Sequence, residues 1–325
     1  LVLKLVFLSE VCAMDLKQIE YIVKIAETGS ITRAAEQLFI TQSALNQQLL
    51  KLEQQLGIKL FVRHKHDMTP TSAGRVYLEY GENMIREKRE AYNIIHDMAQ
   101  SSLGDLRLTF SRERGIDMLV STYPQFHRKF PGITLRPHEM FVVDQLNCLS
   151  RGDTDLGVVT VTEKQKVPDL EFELVRKEPL LLAIPRQNPR AVNPARPGTP
   201  LEELPYMEVD QCKDSPFVLM FPKSTMRQLI DRILKKADYH PYVLFESASI
   251  RALLTMVKNN MACTIVAGGY YRYQDKIAFY RIPGDPYWEM CITYKKGAYL
   301  NKAMLCYKDL IHDYFRIKDP LFVKK

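Results

Sequence analysis

No two cysteines stand at close spacing. The six, Cys12, Cys148, Cys212, Cys263, Cys291 and Cys306, are scattered, without a CxxC or a Cys/His cluster at zinc spacing. This argues against a disulfide-stapled secreted framework and a structural zinc module, so the thiols are expected to stay reduced in a cytoplasm and no metal site is expected. Long apolar runs are missing as well. None reaches the roughly 18 residues of a membrane-spanning helix, because Lys, Arg, Glu or Pro breaks each run within a few positions, and no membrane partner is expected. A nucleophile elbow, a glycine-rich phosphate loop, an HExxH pair and a Cys/His couple are absent too, and "AGGYY" is too short to count. Nothing points to catalysis or to a bound cofactor.

What is present fills two or three domains: 325 residues, 46% of them hydrophobic, with a net charge of +7 that permits a polyanionic partner without requiring one. The opening "LVLKLVFLSEVCA" lacks the basic leader of a secretory signal, and a helix signal follows it at once. Residues 1–13 therefore read as an extension without ordered structure, upstream of a start at Met14.

From Asp15 the chain reads as three short helices. Asp15 with Gln18 makes a capping pair, Leu16, Ile19, Ile22, Val23 and Ala26 form one face, and Gly29 ends the first helix. Ile31, Ala34, Ala35 and Leu38 line the second. Thr41 caps the third, where Leu45, Leu49, Leu52 and Leu56 recur at i, i+4, i+7 and i+11 before Gly57. Two helices joined by a short turn, the second polar outward, form a helix-turn-helix.

The outward side of that third helix carries Thr41, Gln42, Ser43, Asn46 and Gln47 instead of a Lys/Glu mixture. Gln and Asn can pair with adenine edges, and Ser and Thr can serve bases or phosphates. Taken alone, the same side chains could be merely solvated. Arg33, Lys51, Arg63, His64 and Lys65 surround them as candidate phosphate contacts. "IKLFVRHKHDMTPTSAG" then reads as a small hairpin or wing with a basic tip. His64 and His66 lack a third ligand nearby, so phosphate contact or solvation suits them better than a metal. From Thr71 to about Gln100 a long helix carries Tyr77, Tyr80, Met84, Ala91, Ile94 and Met98 at heptad a/d spacing, interrupted at Glu87. So narrow a seam suggests a partner helix from a second subunit.

Beyond "SSLGD", short apolar strands ("LRLTF", "ITLRP", "DLGVVTV", "LLLAI") alternate with helical stretches, and after a Pro-rich loop the rhythm repeats through "FVLMF", "YVLFES" and "ACTIVAGG". This is βαβ organisation with parallel sheet. Polar groups where strands run into helices mark a candidate cleft: Ser111 and Arg112; Lys223, Ser224 and Thr225; Ser247 and Ser249. Thr225 with Gln228 is equally a capping box, and Ser249 equally an N-cap. The Arg and Lys hint at an anionic effector.

The stretch "YIVKIAETGSITRAAEQLFITQSALNQQLLKLEQQLGIKLFVRHKHDMTPTSAG" closely resembles the N-terminal winged helix-turn-helix of LysR-type transcriptional regulators. The resemblance is strong from Met14 to about Gly74 and looser to the C-terminus. It implies an α+β multidomain chain: a winged helix-turn-helix at 14–73, a linker and dimerisation helix at 74–100, and a periplasmic-binding-protein-like effector domain at 105–325. That domain would comprise subdomain I (about 105–178 and 283–325) and subdomain II (about 179–282), joined by crossing strands with ligand between them. Thr41, Gln42 and Ser43 then open the recognition helix, while Asn46 and Gln47 stand where the family commonly has Ser and Arg, which removes one cation. The implied partners are double-stranded operator DNA, a small-molecule effector, RNA polymerase, and further copies of the chain as a homodimer or homotetramer. Cys212 lies near where peroxide-sensing relatives hold their reactive thiol, so redox sensing is an alternative, although no second cysteine lies within fifty residues of it and an ordinary thiol is the simpler account. A solute-binding protein would leave residues 14–100 without a purpose, and an enzyme of the α/β region lacks its motifs.

Overall fold

Helix punctuation in the first hundred residues is local and strong, and a computed structural model describes the chain over residues 15–64, 67–99, 103–112, 114–196, 198–271 and 275–318. The expected extension at 1–13 lies outside the described residues. The chain divides at residues 95/96 into two units.

In the first unit, α1 (Leu16–Thr28) starts at Asp15, whose carboxylate accepts from the Lys17 N–H, and ends at Gly29 with φ +61°. Helix α2 (Ile31–Gln37) is capped by Ser30 and α3 (Gln42–Leu56) by Thr41. Ile19, Ile22, Ile25, Ala34, Leu45 and Leu49 seal a common core. Leu56, at the last turn of α3, is exposed instead. The wing is an antiparallel pair, β1 (Phe61–Arg63) and β2 (Met68–Pro70), with Val62 opposite Thr69. Buried Glu53 of α3 anchors it: its carboxylate accepts from the Leu60 N–H at 2.8 Å and the Phe61 N–H at 3.3 Å and pairs with Lys59 at 2.8 Å.

Helix α4 (Ser72–Met98) begins packed against this core. A Cβ at Gly74 would stand 2.0 Å from the Leu60 carbonyl oxygen, so only glycine lets the helix pass. This packing corrects one expectation. Tyr77 faces the core and is 8% exposed, so it is not part of an outward seam. Tyr80, Met84 and Met98 are exposed as expected, as is Ala91, and Ile94 is half-buried; Tyr92 and Ile95 join the exposed apolar set.

The second unit contains β3 (Gly104–Phe110), α5 (Arg114–Lys129), β4 (Ile133–Glu139), α6 (Val142–Arg151), β5 (Leu156–Val161) and a long β6 (Leu170–Pro185). Then come β7 (Phe217–Met220), α7 (Thr225–Lys236), β8 (Val243–Ser247), α8 (Ile250–Lys258), β9 (Thr264–Ala267), β10 (Ile277–Arg281), β11 (Tyr287–Lys295) and α9 (Lys302–Asp313). The main sheet runs β10-β6-β11-β5-β3-β4, with β9 also on β6. Only part of it is the parallel sheet read from the βαβ rhythm. β3 is parallel to β4 and β5, and β7 to β8, but β11 is antiparallel to β5 and β6, and β6 is antiparallel to β9 and β10. The reversal has a topological cause: β6 carries the chain out of the first lobe, and β11 brings it back into the middle of that lobe's sheet.

In that lobe Val158 and Ile292 face the layer of α5 and α9, while Val159, Val161 and Cys291 face α6. Both faces are covered, which is why "LGVVTV" is a continuous apolar run. The second lobe closes around Leu181–Ile184, Phe217–Leu219, Ile230, Leu253 and Val266.

Candidate DNA interface and ligand cleft

Gln42, Ser43, Gln47 and Lys51 are all exposed along α3. Thr41 Oγ1 accepts from the Ala44 N–H at 3.2 Å and lies 3.1 Å from Ser43 Oγ, so the helix start is capped while Gln42 stays free for a ligand edge. Asn46 is half-buried. Its Oδ1 accepts from Arg63 Nη2 at 2.6 Å, which ties the wing to α3. Arg33 is exposed but folds back, donating from Nη2 to the Thr28 carbonyl at 2.5 Å. His64 is exposed and lies 3.2 Å from Thr69 Oγ1 across the hairpin. Lys65 and His66 lie outside the described residues. Burial pushes the Glu53 carboxyl up, yet the Lys59 ammonium and the Leu60 and Phe61 N–H groups outweigh it and hold it below its ordinary value.

The second unit encloses a cavity of about 560 Å³, the size of a small-molecule site. Four of the seven expected residues line it: Ser111, Arg112, Ser224 and Thr225. The other three do not. Lys223 is exposed outside the lining. Ser247 Oγ accepts from the Ser249 N–H at 3.1 Å and Ser249 Oγ from the Ala252 N–H at 3.2 Å, so both serve the start of α8. Arg112 Nε donates to Glu139 Oε1 at 2.5 Å. Beside the cavity, Glu178 on β6 is fully buried and accepts from Arg114 Nη1 at 2.9 Å, Arg176 Nε at 2.5 Å and Trp288 Nε1 at 3.0 Å. Desolvation raises the Glu178 carboxyl, but the Arg114 and Arg176 charges and the indole N–H prevail and hold it low. Arg114 also lies 5.6 Å from the ring centroids of Tyr270 and Phe315.

Cys212 is fully buried at the end of a short 3-10 turn, and its partner is Cys263, 51 positions away, which hydrogen-bonds it. That contact and then burial push the Cys263 thiol well up. Among the described residues no group of three or more His, Cys, Asp or Glu is placed to hold a metal, and no helix is long and apolar enough to cross a membrane.

Residues 16–75 match the family described as bacterial regulatory helix-turn-helix protein, lysR family, and residues 99–316 match the LysR substrate binding domain. The chain belongs to the LysR family. That makes it a DNA-binding transcriptional regulator with an effector-binding domain, in a family of regulators rather than enzymes. Among LysR relatives, it is 25% identical over 305 residues to the HTH-type regulator YcgK of Bacillus subtilis, covering 91% of this chain and 94% of that one. It is 23% identical over 305 residues to a probable cat1 operon transcriptional activator of Acinetobacter lwoffii, covering 93% and 96%. The fold is also that of full-length OxyR from Pseudomonas aeruginosa, at TM-score 0.68, 18% identity and 95% and 97% coverage. CbnR in complex with its target DNA has the same fold at TM-score 0.56, with 20% identity and 92% and 99% coverage.

For a LysR chain, the residues that sequence reasoning overlooked fall into two kinds. Phe39, at the helix-turn-helix turn with φ +55°, is 95% exposed, a bulky residue in the left-handed region, and sequence carries no signal of it because φ is not legible there. Trp288, Met290, Tyr270 and Phe315 line the cavity from late segments that carry no site motif. Trp288 did carry a signal, as the only tryptophan in the chain.

Proposed function

We propose that the chain binds a two-fold operator through Thr41, Gln42, Ser43 and Gln47, with Lys51, Arg63, His64 and Arg33 on the phosphates, and that a small molecule in the cavity biases this binding. The observation that carries the reading is the Arg63–Asn46 hydrogen bond, which holds a basic wing beside an exposed Gln/Ser face. One recognition helix reads too few bases, so the working unit is a homodimer or homotetramer, built through the exposed apolar stripe of α4. Such a protein works in the cytoplasm, on promoters shared with RNA polymerase. Fluorescence anisotropy across a salt series, on DNA from upstream of its own gene and on scrambled DNA of equal length, tests it. Tighter, salt-sensitive binding to the first supports the reading; equal binding to both at every salt concentration overturns it for that DNA.

A second reading, redox control, draws on the Cys212–Cys263 contact. Peroxide would oxidise the two thiols to a disulfide and be reduced to two waters, the chain losing two hydrogens. Burial of both sulfurs opposes it. Intact-mass measurement after peroxide treatment decides: an unchanged native mass removes this reading.

A further inference from the structure

We infer that the effector is an uncharged, largely apolar compound bearing hydrogen-bond acceptors, and not a carboxylate; this rests on the reading of the cavity as the regulator's ligand site. The positive charges that suggested an anion are already committed. Arg112 is paired with Glu139, which lines the same cavity, and Arg114 is paired with buried Glu178. Lys223 does not line the cavity, and Asp144, exposed in the first turn of α6, adds a further carboxylate to it. An entering anion would have to displace Glu139 from Arg112 and then sit beside two exposed carboxylates, which disfavour a like charge.

The rest of the lining suits an apolar body. Met140, Met220, Met226 and Met290 surround the space with Trp288 and Phe315, and four thioethers make a wall that adapts to a ligand's shape. The polar handles are hydroxyls, one from each lobe. Ser111 Oγ accepts from Gln145 Nε2 at 3.0 Å and Ser224 Oγ from the Arg227 N–H at 3.1 Å. Each serine has a single O–H donor, which neither of those bonds uses. A ligand that presents acceptors to both hydroxyls would hold the two lobes together, which is how binding would favour one arrangement of them.

The test uses the full chain and two transparent probes of one shape, cyclohexanecarboxamide and cyclohexanecarboxylate, with the emission of the single Trp288 and the melting temperature as readouts. The carboxamide is expected to bind at least about tenfold more tightly than the carboxylate, because the anion meets the Glu139 and Asp144 carboxylates and the amide does not. Glu139→Gln, which releases Arg112, is expected to narrow or invert that ratio. Asp144→Asn, at an exposed position that the fold tolerates, raises carboxylate affinity by a smaller factor. A carboxylate that binds the unmodified chain as tightly as the carboxamide overturns the inference and leaves the ligand-site reading intact. Absence of any response to either probe, up to the solubility limit, overturns the ligand-site reading itself.

Discussion

Arg63 reaches back seventeen positions in sequence to Asn46, and that single contact divides the residues proposed to face DNA by role. Gln42 and Ser43 have exposed side chains beyond the cap, so either changed to Ala is expected to weaken cognate binding by about 1–3 kcal/mol and leave scrambled DNA nearly unaffected. Arg63→Ala is expected to weaken both and to lower the salt slope by about one, as the loss of a phosphate contact should. Anisotropy titrations read both effects. Glu53 supports the same wing from beneath. Because its folded pKa is depressed, its contribution is complete above the ordinary carboxyl value and disappears as pH falls through the folded one. Glu53→Ala strands two backbone N–H groups and should cost about 1–3 kcal/mol near neutral pH, shrinking in acid below the ordinary carboxyl range as the native carboxyl protonates; urea unfolding from neutral pH into that acid range measures it. Thr41, Gln42 and Ser43 were legible in sequence because helix starts are written locally. The second life of Asn46 was not, since it depends on a hairpin folding back onto the helix.

Helix α4 shows what element-level periodicity can and cannot resolve. Its a/d pattern was real, but an amphipathic helix has one apolar stripe whether its neighbour is its own domain or another chain. Gly74 and Gly81 decide which: the first lets the helix pass the Leu60 carbonyl, and a Cβ at the second would come within 2.6 Å of Ile19. The first turns therefore pack inward and take Tyr77 with them. Gly74→Ala puts a methyl group against backbone that cannot rotate away, and a loss of about 1–3 kcal/mol is expected, seen as a lowered thermal midpoint. The other strands of the second unit were legible as apolar runs, but β10 and β11 were not read from the sequence, and strand direction was not legible at all. "LLLAI" announced only the buried end of β6, because the preceding "LEFELVRKEP" mixes charge with apolar residues at the crossing between lobes.

For the whole molecule, Tyr80, Met84, Tyr92, Ile95 and Met98 remain as exposed apolar residues along α4. Light scattering is expected to give a dimer or tetramer, and Met84→Glu combined with Ile95→Glu is expected to reduce it to the monomer mass; an unchanged mass would place the interface elsewhere. The cleft was half legible for a comparable reason: its polar rim sits at strand ends, but its apolar wall is assembled from segments more than a hundred residues apart. The place of β11 bears on time as well as on space. It lies between β5 and β6 in the middle of the first lobe's sheet, yet it comes after every strand of the second lobe. On the ribosome the lobe begun first is therefore completed last, with β5 and β6 exposing unpaired edges until residue 295 has emerged. By the end of that interval every strand of the second lobe has been made, while the first lobe still waits for the strand at the middle of its sheet.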